Sequence, residues 1–204
     1  MRIARPISRL MSAAALLCAA ATAAAQTQAK PAPGNAAARG QYLVAIMSCN
    51  DCHTPFKMGA KGPEPDMKRM LSGFPETSKL PPPPAPAGPW IWSGTGDNTA
   101  FAGPWGITYA ANLTPDKNTG LGIWTEDMFV KALKTGKHMG TSREIQPPMP
   151  WPWIGKATDE DLKAIYAYLK SIPPISNHVP DWAPPTTAAG SPATPASGAG
   201  PKKR

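Results

Sequence analysis

The chain has 204 residues, 27 of them proline and 18 glycine, and carries 21 Lys and Arg against 13 Asp and Glu, a formal net charge of +8. That length allows one domain with extra segments, and beyond the N-terminal stretch no run approaches the roughly 18 apolar residues of a membrane span. The basic balance suits nucleic acid, anionic lipid or an acidic protein surface, and the N-terminus removes the first of these.

Arg2, Arg5 and Arg9 form a basic start, Leu10 to Thr22 is apolar without a charge, and Ala23, Ala24 and Ala25 supply small residues at a cleavage position. The pattern predicts a signal peptide over residues 1–25, cut after Ala25, and an exported, periplasmic protein. Taking those three arginines from 21 basic residues leaves 18 against 13 acids, so the mature charge is +5. Export makes nucleic acid an unsuitable partner, and Cys18 leaves with the peptide. Residues 26–35 read as a flexible linker. It ends on Asn35, a suitable N-cap for a helix over Ala36 to Ser48, with Tyr42, Leu43, Ile46 and Met47 available for one face. Gly40 interrupts this helix at a cost of about 1 kcal/mol relative to alanine, which points to a close approach by another helix or to a tolerated surface position.

That helix leads into Cys49-Asn50-Asp51-Cys52-His53. On one helical turn, offsets of three and four place both thiols and the imidazole on the same face. In an exported protein this is the attachment pattern for one covalently bound haem c: a thioether at Cys49 and Cys52, and His53 toward the iron. A structural zinc site would need a second pair of thiols or histidines at finger spacing. A thioredoxin-like dithiol would need a strand leading into the helix.

From residue 54 to 105 prolines and glycines are dense, including Pro81-Pro82-Pro83-Pro84, and only Asp66 to Leu71 suggests a helical turn. The segment reads as a long irregular insertion. Trp90, Trp92, Phe101 and Trp105 argue for an ordered wrap over apolar haem surface, with a recognition loop for a partner as the alternative. After a loop from Gly106 to Gly122, Thr125 is an N-cap followed by Glu126 and Asp127, and Trp124 is placed to staple Phe129. Gly136 ends that helix. A second loop, Lys137 to Trp153, precedes a helix opened by Thr158 and Asp161, with Leu162, Ile165, Tyr166 and Leu169 in one stripe. Pro173-Pro174 stops it. Residues 181–204 read as a disordered basic tail, which leaves 36–180 as the domain.

The sixth iron position separates electron transfer from ligand chemistry. Met149, between Pro148 and Pro150, is the strongest candidate because prolines stiffen its loop before any tertiary contact forms. Met139 in a glycine-flanked turn is the rival, followed by His138 and His178. Met58, Met67 and Met70 read as packing or surface residues. Ligation by His53 and Met149 would leave no vacant site and support one-electron transfer.

The N-terminal helix entering Cys49-x-x-Cys52-His53, the methionine loop at Met149 and the stretch Asp161-Leu162-x-Ala164-Ile165 to Leu169 resemble the class I c-type cytochromes, over roughly Ala36 to Ile175. The stretch from Gly103-Pro104-Trp105-Gly106 to Asn112-Leu113-Thr114-Pro115-Asp116, with Met149-Pro150-Trp151, is similar to haem domains that serve bacterial periplasmic dehydrogenases. The resemblance implies an all-α, cytochrome c-like fold, with three to four helices around one haem and the Pro/Trp-rich insertion added. It implies that Gly40 marks a crossing onto the Leu162, Ile165 and Tyr166 face, and that Tyr109, Asn112 and Trp124 bind haem propionates. The function expected is a periplasmic electron carrier, not itself an enzyme. Its redox partners would be a dehydrogenase or respiratory donor and an oxidase-type acceptor; membership of a multi-protein dehydrogenase complex is the close variant, and a haem enzyme or sensor with an open sixth position the distant one. Lys57, Lys61, Lys137 and Lys156 flank the haem-binding segments and are placed to steer an acidic partner.

Overall fold

The computed structural model describes residues 35–85 and 88–185. The expected signal peptide, the expected linker up to Gly34 and the expected tail from residue 186 lie outside the described residues.

Helix α1 covers Ala36–Ile46 without a side-chain cap from Asn35. It ends two residues short of the expected boundary because Ser48 takes the left-handed conformation, at φ 57. A non-glycine residue is strained there, and the kink re-aims the chain so that Cys49–His53 forms a separate helix, α2. Helix α3, Glu126–Thr135, opens with Thr125 Oγ1 accepting the Met128 N–H at 3.2 Å. It closes on Gly136 at φ 69, whose N–H donates to the Ala132 carbonyl, as the cap residues dictate. A four-residue helix, α4, Trp151–Ile154, lies at the end of what reads as a loop. Helix α5, Asp159–Ser171, starts with Thr158 Oγ1 accepting the Asp161 N–H at 3.1 Å.

The core joins Leu43 and Val44 of α1, Phe129, Val130 and Leu133 of α3, and Leu162, Ala164, Ile165 and Leu169 of α5. The buried face of α1 is therefore Gly40, Leu43 and Val44, whereas Tyr42 and Ile46 are 54% and 56% exposed. The reason is Gly40. A Cβ there would sit 1.9 Å from the Ala164 carbonyl oxygen and 2.8 Å from Tyr168 Cβ, so the two helices touch backbone to backbone and the residues three and four further on follow it inward. The contact is with Ala164 and Tyr168 rather than the neighbouring Leu162, Ile165 and Tyr166 stripe. Beside the crossing, Arg39 grips Asp161 in a fork, Nε to Oδ1 at 2.9 Å and an Nη to Oδ2 at 3.2 Å, and the carboxylate raises the already high guanidinium pKa.

The expected all-α architecture is overturned by two small antiparallel sheets, which make the fold mixed. Strands β1, Phe56–Gly59, and β2, Gly62–Pro65, form a hairpin pairing Phe56 with Pro65 and Gly59 with Gly62. Strands β3, Ser93–Gly94, β4, Ala100–Gly103, and β5, Gly106–Tyr109, form a sheet in that order. So the segment 54–105 is only partly irregular. Its strands of two to four residues are too short to display alternation. Pro63 and Pro65 are tolerated because a two-stranded ribbon consists only of edges. The start of the expected tail also belongs to the fold: Ala183 exchanges backbone hydrogen bonds with Ile107 at 2.8 and 3.0 Å, and the Trp182 indole N–H donates to the Trp105 carbonyl at 2.7 Å.

Gly40→Val should cost about 1–3 kcal/mol or more, as overpacked close contacts do. The check is chemical denaturation of the haem-loaded protein, with Arg39→Ala expected to lose far less because its fork is partly exposed.

Candidate haem site

Helix α2 supplies three groups within five residues, and the surrounding loops fix each of them. Thr54, fully buried, closes the turn by donating its hydroxyl to Asn50 Oδ1 and accepting the Leu71 N–H, both at 2.9 Å. The Gly73 N–H donates to the His53 carbonyl at 2.8 Å. From the sheet side, Asn98 Nδ2 donates to the Asp51 carbonyl at 2.6 Å.

The His53 ring is 7% exposed and its Nδ1 lies 2.8 Å from the Ala111 carbonyl oxygen. A carbonyl can only accept, so Nδ1 carries the proton and Nε2 keeps its lone pair. Burial lowers the pKa, opposed in part by that hydrogen bond. The neutral imidazole with one nitrogen tied back is the form in which histidine ligates a metal.

Cys49 and Cys52 form no disulfide. Burial pushes Cys49 up to about 11 and also raises Cys52, with Asp51 adding repulsion to the thiolate. A metal–thiolate site calls for the opposite, thiols whose ionised form is favoured. A thioether carries neither proton nor charge, so this desolvated pocket suits sulfurs bonded to porphyrin carbon. Among the described residues no group of three or more His, Cys, Asp and Glu is arranged to hold a metal ion. The residues present thus fit a covalently bound haem.

Of the other residues singled out from the sequence, Met149 is half-buried and packs against the core cluster. Its loop is anchored on one side by Thr108 Oγ1 donating to the Pro147 carbonyl at 2.7 Å. On the other side Trp151 lies on Gly136, where a Cβ would come within 2.3 Å of the indole. Met139 sits in a single 3₁₀ turn, His138–Gly140, at φ 53. His138 stands edge-on to Trp124, centroids 4.9 Å apart, and exposed His178 donates its backbone N–H to Glu76. Tyr109 packs on Phe74, centroids 4.9 Å apart. The Trp124 carbonyl accepts the Tyr166 hydroxyl at 2.5 Å. Asn112 is 3% exposed. Its Nδ2 donates to the Ile175 carbonyl and to Thr119 Oγ1, and its Oδ1 accepts from the Thr114 N–H and hydroxyl, so its amide is taken up in closing the loop. Lys57 faces Glu64 and Asp66 at 3.8 and 3.7 Å, which offsets its charge. The residues that orient His53, namely Ala111, Thr54 and Gly73, left no trace in the sequence, because a backbone carbonyl and a glycine contact carry no motif.

Two neutral thiols and a buried, tied-back imidazole on one helical turn define a protein with covalently attached haem. The chain matches the family model described as "Cytochrome c" over residues 37–173 and belongs to the cytochrome c family. It is 30% identical over 173 residues to the fructose dehydrogenase cytochrome subunit of Gluconobacter japonicus, covering 83% of this chain and 28% of that protein. Against the gluconate 2-dehydrogenase cytochrome c subunit of Pantoea cypripedii it is 30% identical over 139 residues, 68% of this chain and 24% of the relative. The cytochrome c subunit of the quinone alcohol dehydrogenase of Gluconobacter oxydans is 27% identical over 146 residues, 70% and 23% of the two lengths. The chain therefore spans about a quarter of the length of these relatives. As a cytochrome c domain it carries haem c, with Cys49 and Cys52 at the attachment spacing directly before His53.

Replacing both Cys49 and Cys52 with serine should abolish the haem signal that survives denaturing electrophoresis and reduce the intact mass by one haem. Either single variant should retain one thioether and stain weakly.

Proposed function

We propose that this cytochrome is an exported one-electron relay that accepts electrons from a periplasmic dehydrogenase, with His53 and Met149 as the axial ligands of its iron. Haem c supplies a one-electron couple at a site whose ligands stay bound in both oxidation states. His53 contributes a neutral nitrogen whose direction is held by the Ala111 carbonyl. Met149 contributes a thioether, and it packs against the core, as Met47 and Met70 also do, whereas its rival Met139 sits in a 3₁₀ turn.

The observation that carries the ligand assignment is the double anchoring of its loop, at Thr108 through Pro147 and at Gly136 through Trp151. A loop held at both ends presents its sulfur without the ordering cost a free segment would incur. Histidine–methionine ligation raises the reduction potential above that of imidazole alone and closes the iron to outside ligands.

The dehydrogenase partner rests on the relatives, which are named as cytochrome subunits of fructose, gluconate and alcohol dehydrogenases. A basic mature surface suits an acidic docking face on such a partner. Export rests on the N-terminal pattern of Arg2, Arg5 and Arg9 followed by apolar residues and alanines.

Absorption spectra of the ferric protein test the ligands: the weak long-wavelength sulfur-to-iron band should vanish in Met149→Ala, while Met139→Ala keeps it. Persistence of the band in Met149→Ala would transfer the role to Met139. The mass of the protein recovered from the periplasm should correspond to a chain starting at Gln26 and bearing one haem. Electron transfer from the partner dehydrogenase should slow as ionic strength rises, and a salt-independent rate would remove the steering role of the lysines.

A further inference from the structure

Asn177 is 1% exposed and lies beyond α5 in chain without regular structure. A buried amide is costly unless each of its polar atoms is paired, and here all the pairing is with one segment. Nδ2 donates to the Ser72 carbonyl at 2.7 Å and to the Phe74 carbonyl at 2.8 Å. Oδ1 accepts from the Glu76 N–H at 3.0 Å and from an Arg69 Nη at 2.9 Å. Its own backbone is anchored separately, the Asn177 N–H donating to Thr119 Oγ1 at 3.1 Å.

The segment so gripped is the one that frames the proximal histidine. Leu71 and Gly73 reach Thr54 and His53 through their N–H groups. The opposite edge pairs with the chain bearing the histidine's acceptor: the Phe74 N–H donates to the Ala110 carbonyl and the Leu113 N–H to the Leu71 carbonyl, both at 2.9 Å. Ala111 lies between those two bonds. Gly73, at φ +76, presses on it so closely that a Cβ would stand 2.6 Å from the Ala111 carbonyl carbon and 2.7 Å from its oxygen.

From this chain of contacts we infer that Asn177 is a positioning residue for the haem iron, acting through residues 71–74 on the Ala111 carbonyl and thereby on the His53 imidazole. It touches neither the imidazole nor the acceptor. A carbonyl that draws on Nδ1–H makes Nε2 a more basic ligand, which favours ferric iron. Loosening the clamp weakens that pull and favours reduction. The inference rests on the haem reading and on His53 as a ligand but is independent of Met149.

The test uses haem-loaded Asn177→Leu, which keeps the branched shape and the neutral charge but pairs with none of the four partners, and Asn177→Ser, a smaller change for use if the first fails to load. Redox titration and the resonance of the His53 Nδ1–H in the ferrous protein are the two readouts. Asn177→Leu should raise the equilibrium constant for reduction about threefold, since it acts on the ligand only at second hand, and shift the Nδ1–H resonance. Asn177→Ser should move both in the same direction by less. Arg39→Ala, which loosens the α1–α5 fork instead, should move neither. An unchanged redox equilibrium and resonance in the loaded Asn177 variant overturns the inference, as does an equal displacement in Arg39→Ala. Failure of the Met149 assignment would appear in the sulfur band instead and leave the Nδ1–H resonance of the unsubstituted protein in place.

Discussion

The hydrogen bond from the buried His53 Nδ1–H to the Ala111 carbonyl, 2.8 Å long, is the constraint around which the site is arranged. An imidazole without water must place its proton on a protein acceptor, and the acceptor decides which nitrogen is left for iron. Everything near the ring serves that bond from one side or the other. Thr54 and Gly73 close the turn beneath the histidine, while the pairing of residues 71–74 with 110–113 holds the carbonyl opposite it.

The helical frame answers a different need, a rigid seat for the segment that bears both thiols. Gly40 lets α1 lie directly on the Ala164 carbonyl of α5, and the Arg39–Asp161 fork fixes the approach on one flank. With α1 so placed, the left-handed Ser48 turns α2 away from the axis of α1 and directs Cys49, Cys52 and His53 as a unit. The same economy appears at α3, whose terminal Gly136 makes room for Trp151 and so anchors the loop that presents Met149.

Much of this was legible in the residues, but unevenly. Caps carry local chemistry, so Thr125, Gly136 and Thr158 stand at the helix ends their residue types predicted. The inward face of α1 differs from the expected one because Tyr42 and Ile46 are large side chains with apolar surface like Leu43, and hydrophobicity alone does not reveal that Gly40 must face α5. The insertion hid its strands for a related reason: a ribbon such as Phe56–Pro65 is specified by cross-strand pairing and by the glycines at its turn, and proline-rich edges mask the usual alternation. Asn177 looks like an ordinary loop asparagine in the sequence, and Asn112 stands out only through the family resemblance. Their burial and the carbonyls they meet come from chain far away.

The sequence by itself determined the chemistry of attachment, because two thiols and an imidazole at offsets of three and four need only a single helical turn to converge. It also set the helices that carry their own start and stop signals. Tertiary structure alone decided which nitrogen of His53 is free, which carbonyl holds the other, and how the segment from Arg69 to Glu76 is clamped beneath the histidine. Those features depend on contacts between residues some 58 to 108 positions apart, and no local preference of the chain encodes where a distant carbonyl will come to rest.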